Sequence, residues 1–108
     1  MKSLVINSPK VTVKLYDNGE IDDDTISVYL DNTVMLDNKR LSAQPLTFTF
    51  TMSEDKPEQQ LTMVAENLGR IPPNTSLMIV EAGKQRFEVR ITSTEQKNAI
   101  VKFRYEPE

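Results

Sequence analysis

The segment "LYDNGEIDDDTISVYLDN", residues 15–32, carries the densest set of groups in the chain able to do chemistry. Asp17, Glu20, Asp22, Asp23 and Asp24 crowd around Asn18-Gly19, and an alternating apolar stretch follows them. A bent, oxygen-rich segment can hold a hard cation, supply a general acid and base, or simply turn the chain. An EF-hand needs glycine at its sixth position and a bidentate Glu at its twelfth. Counted from Asp17, those places hold Asp22 and Val28; counted from Asp22, the fifth position is Ile26, so neither frame fits. A looser site survives, in which Asp17, Asn18, Asp22, Asp24 and backbone carbonyls offer oxygens to a weakly held calcium ion. Beside it stands the plain turn. Asp and Asn bond their own backbone and tolerate left-handed conformations, and Asn18-Gly19 is a tight-turn pair.

Catalysis by these acids is a weaker reading. Glycoside hydrolysis needs two carboxyls about 5–10 Å apart across a cleft, one of them with a raised pKa. Acids strung along a turn lack the burial that raises one of them. The chain has no His and no Cys, hence no imidazole base, no thiolate nucleophile, and no imidazole or thiolate metal ligand. Most hydrolytic triads and zinc centres are thereby excluded, and the expectation is a chain that is not an enzyme.

Length and composition set the frame for those residues. With 108 residues, 38% hydrophobic and 27% charged, the expectation is a single folded domain, residues 1–108, with its core over about 11–105. The net charge of −3 argues against nucleic acid or anionic lipid as the main partner. No stretch approaches a membrane span, and "MKSLVINSPK" lacks the apolar run of a signal peptide. The chain thus reads as a soluble piece, mature or excised.

Alternation dominates the rest and helical periodicity is nearly absent. "VTVKLY", "TISVYL", "TVML", "PLTFTFTM", "QLTMVAEN", "SLMIVEA", "RFEVRIT" and "AIVKFRY" each read as a strand. "SLMIVEA" is nearly all apolar, as suits a strand buried on both faces. Asp31-Asn32 fits a two-residue hairpin turn. Further turns are marked at "DNK" (37–39), "SEDKPE" (53–58), "AGKQ" (82–85) and "TEQKN" (94–98). Pro72 and Pro73 cannot donate ladder bonds, so "LGRIPPNTS" must carry the chain between sheets, with Asn74 in a turn. About eight short strands at this spacing predict an all-β fold, an antiparallel β-sandwich of immunoglobulin-like type.

Other residues offer less chemistry. Thr47, Thr49 and Thr51 form a ladder on one parity, which suits a β-branched solvent face. Sugar-binding sandwiches rely on Trp or Tyr platforms; this chain has no Trp and only Tyr16, Tyr29 and Tyr105. Tyr29 lies on the outward parity of its strand. "NTS" at 74–76 matches the glycosylation triplet by chance, and Glu66 is within reach of Arg70 across a loop.

Two of these segments carry a resemblance. "DNGEIDDD" and "AENLGRIPPNT", with the strands around them from Val11 to Tyr105, resemble a β-domain of no established activity that occurs in exported Bacteroidetes proteins. That domain is often the carboxy-terminal module of longer secreted or cell-envelope chains. Its loop ends in D-G-D where this chain has Asp22-Asp23-Asp24. The resemblance implies a secreted or periplasmic, envelope-associated location, and a native chain that is longer than this one or a monomer. The function expected is a non-catalytic accessory, interaction or structural module with a protein or glycan partner, and with no membrane insertion by this domain. The alternative is a weakly calcium-stabilised adhesive or carbohydrate-binding module; otherwise no cofactor is expected.

The two readings of the acidic segment predict different melting curves. An extracellular-type calcium site would have a Kd of about 0.1–1 mM. At ten times Kd it would stabilise the fold by about 1.4 kcal/mol, and Asp22→Asn with Asp24→Asn would remove the effect. A plain turn gives coincident curves with calcium and with chelator up to about 10 mM, measured at fixed ionic strength.

Overall fold

A computed structural model of the chain describes residues 2–17, 25–67, 74–93 and 98–107. The described strands are β1 (Lys2–Ile6), β2 (Lys10–Asp17), β3 (Thr25–Leu30), β4 (Thr33–Arg40), β5 (Leu46–Thr51), β6 (Glu58–Asn67), β7 (Asn74–Ala82), β8 (Gln85–Ser93) and β9 (Ala99–Tyr105). They form a β-sandwich of a five-stranded sheet, β1-β9-β6-β3-β4, and a four-stranded sheet, β5-β2-β7-β8. All pairings are antiparallel except β1 with β9.

The alternation that predicts the strands also predicts which faces meet. Val11, Val13 and Leu15 of β2 are fully buried, as are Ile26 and Val28 of β3 and Leu61 and Met63 of β6. Phe48, Phe50, Val89, Ile91, Val101 and Phe103 are buried in the same cluster. Phe50 of the smaller sheet meets Phe103 of the larger edge to face, with ring centroids 5.2 Å apart and planes at 68°. β7 has inward Met78 and Val80 at 0% exposure, and outward Ile79 at 7% between Lys14 and Glu88. That strand is buried on its inner face and, at Ile79, on its outer face as well, while Leu77 and Glu81 are half-buried.

Three expectations need correction. A ninth strand exists: "KSLVI" forms β1 beside β9, in parallel. Only Leu4 and Ile6 mark its inner face, and a parallel partner at the far end of the chain leaves no hairpin signal between them. The "DNK" segment is not a turn, because β4 runs on to Arg40. Asn38 adopts φ 49° there as the extra residue of a bulge, and Met35 is the extra residue of a second one. Asn74 opens β7 and is paired with Ser93, so it is a strand residue and not the turn residue expected. The predicted crossing itself holds: β6 and β7 belong to different sheets, while residues 68–73 between them lie outside the described part.

Two hairpin turns follow their sequences closely. Asp31 takes φ 53° in the two-residue link from β3 to β4, and Gly83 takes φ 59° in the link from β7 to β8. A Cβ on Gly83 would meet Ser8 Oγ, so this position needs glycine for its space as well as its backbone.

Phe103 is fully buried between the sheets, and Phe103→Ala is expected to cost about 3–5 kcal/mol in urea unfolding. A loss below about 1 kcal/mol would contradict the observed packing of β9.

Candidate functional site

The strand directions sort the connections by end. Asp17, Thr25, Arg40, Leu46, Asn67, Asn74 and Ser93 all lie at one end of the sandwich, by the registers Asp17–Ser76, Thr25–Arg40, Thr25–Asn67, Leu15–Leu46 and Asn74–Ser93. The links 18–24, 41–45, 68–73 and 94–98 leave from this end, and each passes from one sheet to the other. Both segments that carry the sequence resemblance are among them. The opposite end holds both hairpin turns and the links 7–9 and 52–57. There the chain is tied by Met52 N–H to Pro9 O (2.7 Å) and Tyr105 N–H to Pro57 O (2.7 Å).

Of the expected calcium ligands, Asp17 closes β2, and its N–H donates to Ser42 O at 3.0 Å. Asn18, Asp22 and Asp24 lie outside the described residues. Among the described residues no group of three or more acidic side chains is placed to hold a metal ion.

Beside this end is a polar knot that sequence reading did not anticipate. Ser27 is fully buried on β3, facing away from the core. Its hydroxyl donates to Glu66 Oε2 at 2.6 Å and accepts the Asn38 N–H at 3.0 Å. Asn38 is a bulge residue of β4, and Glu66 is the extra residue where the β3–β6 register shifts. One serine therefore joins two irregularities on its two neighbouring strands. A hydroxyl bonded to a carboxylate is the opening geometry of an activated nucleophile. Here the oxygen is enclosed and engaged by a backbone donor, so its chemistry is structural: it holds the bulges in register. Glu66 was expected to reach Arg70; its carboxylate accepts from Ser27, and Arg70 lies outside the described residues.

At the hairpin end, a groove of about 530 Å³ opens on the larger sheet, lined by Ser3, Asp31, Glu58, Gln60, Lys102 and Arg104 among others. Asp31 is held there on three sides. Its N–H donates to Gln60 O (2.7 Å), its Oδ1 accepts the Gln60 N–H (3.0 Å), and Oδ2 lies 3.1 Å from Lys56 Nζ. Arg104 Nε is 3.3 Å from Glu106 Oε2. The groove is thus of mixed charge, with Arg104 and Glu106 paired within it and Asp31 held by Lys56 beside it.

The outer faces bear out the parity reading. Thr47, Thr49 and Thr51 are exposed, opposite Lys14, Thr12 and Lys10 of β2. Lys14 pairs with Glu81 at 3.0 Å and Arg86 with Glu88 at 2.6 Å. The Glu88 hydrogen bond, aided by attraction to Glu88 and Glu81, raises the exposed Arg86 guanidinium above its ordinary pKa. Tyr29 is half-buried in a cross-strand row with Thr62 and Val34 on the outside of the larger sheet. Tyr16 sits outside the smaller sheet beside Leu77, and Tyr105 packs against the core. The three tyrosines therefore share no platform.

Comparison of the chain with protein-family models, curated proteins and solved structures finds no match.

Ser27→Ala tests the knot. It strips the Asn38 N–H of its acceptor and Glu66 of its donor, at an expected cost of about 1–3 kcal/mol. Hydrogen exchange at Asn38 should accelerate while amides of β2 and β7 keep their protection; an unchanged Asn38 would exclude Ser27 as the lock.

Proposed function

We propose that this domain is a non-catalytic module of an exported cell-envelope protein, serving interaction or structural spacing. The observation that carries the reading is the sorting of the strand ends: those joined by four of the links between the sheets lie at one end of a filled sandwich. Segments held by a rigid two-sheet body are the ordinary place for recognition in such folds. The body itself offers little room for chemistry. Its only buried polar side chains among the described residues are Ser27, Gln59 and Ser76, each with a partner: Glu66, the Thr51 carbonyl and the Met63 sulfur. The envelope location rests on the resemblance of "DNGEIDDD" and "AENLGRIPPNT".

A protein partner fits better than a glycan, because stacking on sugar rings needs exposed aromatics grouped on one surface. Here there is no Trp, and the tyrosines are dispersed over both outer faces and the core edge.

Fractionation of the native cells, probed with antibody against this domain, should recover it in the envelope or the medium. Recovery from the cytoplasm alone would overturn the proposal.

A further inference from the structure

The first and last strands of this sandwich are neighbours, and they point the same way. The chain arrives at β1 beside Val101 and leaves β9 past Ile6. A pull on the two flanks therefore drags β1 and β9 in opposite directions along the ladder they share. The geometry points to a further function: the β1–β9 pair, pinned by Gln85, is a shear clamp that carries tensile load through the domain. This deepens the spacing role proposed above and rests on it.

The argument is one of load sharing. Five residue pairs, Lys2–Val101 through Ile6–Tyr105, lie along the parallel ladder, whose bonds are evenly spaced. A force along the strands strains all of them together, whereas a force across one end opens them in turn. Strand β9 is braced on its other side by β6, from Glu58–Arg104 to Met63–Ala99, so β1 is the strand that would slide.

Several contacts oppose that slide. Leu4 and Ile6 are buried in the core, and the Glu106 N–H donates to Ile6 O at 2.8 Å. Gln85, which belongs to the other sheet, grips the end of β1 with both ends of its amide. Its Oε1 accepts the Asn7 N–H (2.8 Å) and its Nε2 donates to Val5 O (3.0 Å). The amide sits directly after the Gly83 turn, against which Ser8 packs. Sliding β1 must therefore break the ladder and this cross-sheet pin together. A strand that only covered the edge of β9 would do so equally well in the antiparallel sense; the parallel sense is what places the ladder in shear.

The chain has no cysteine, so introduced pairs make unique handles for single-molecule force spectroscopy. Lys2→Cys with Glu106→Cys loads the ladder along its length, and Lys2→Cys with Lys102→Cys peels the same ladder from one end; all three positions are exposed. At one pulling speed, the lengthwise pair should unfold at a several-fold higher force than the peeling pair. Equal forces would overturn the clamp. Gln85→Ala should lower the lengthwise force and leave the peeling force unchanged, since Gln85 holds the far end; an unchanged lengthwise force would remove Gln85 from the clamp. The handle comparison needs no core substitution and stands even where Gln85→Ala folds poorly. Cytoplasmic recovery of the native protein would sink the spacing role while leaving the force ratio intact, so the two failures are distinguishable.

Discussion

Everything in this molecule depends on the closure of one apolar layer between two sheets. Phe103 is central to it: it is fully buried, it pairs across β6 with Gln59, and its ring meets Phe50 of the opposite sheet. Gln59 points into the same layer at 7% exposure and donates to the Thr51 carbonyl at 3.1 Å. An apolar contact and a directional bond thus join β6 and β9 to β5 at one place. The apolar contact supplies most of the energy, because burial of an aromatic side chain outweighs a single net hydrogen bond. The amide supplies direction, since its one carbonyl partner on β5 favours a particular placement of the sheets.

The layer was legible in the sequence because a strand repeats every two residues and a sandwich wets only one face. Each alternating run reports which side chains point inward, and a slip of one residue would expose all of them. The links were less legible. Asp31 and Gly83 announced their turns because both positions need φ > 0. Asn38 has the same backbone preference and was misread, since a left-handed Asn serves a bulge as well as a turn. What decides between them is the neighbouring strand, through the Ser27 hydroxyl that accepts the Asn38 N–H. That partner is eleven residues away, and no local pattern names it.

The same limit applies to the site. Ser27 sits on a strand where an outward serine looks unremarkable, yet it is fully buried, with bulges on both neighbouring strands. Glu66 reads from the sequence as a residue of its own loop, and its carboxylate accepts from Ser27 on the neighbouring strand. Long-range polar contacts of this kind carry no sequence period, so they appear only once the strands are in order. The acidic segment was conspicuous for the opposite reason: its chemistry is local and compositional. Its flanks, Asp17 and Thr25, belong to different sheets, so whatever it does is done where the chain changes layer.

The edges complete the physical account. The nine described strands, in two sheets, leave four edge strands among the described residues, β1, β4, β5 and β8, each a template for unwanted pairing. β4 is guarded by two bulges and by exposed Asp37, Lys39 and Arg40; β8 carries outward Arg86, Glu88 and Arg90. β5 presents threonines and is held at both ends by links that change sheet. β1 is protected differently: it is five residues long, and its end is tied by a side chain from the opposite sheet. Shortness limits aggregation, and like the other edge strands β1 has a single neighbour in its sheet. The Gln85 amide acts at the end of β1, on the Val5 carbonyl and the Asn7 N–H. It thereby couples an edge strand of the larger sheet to the hairpin of the smaller one. Edge protection and resistance to sliding are then two consequences of one arrangement, because both require β1 to stay where the inner layer and the Gln85 pin hold it.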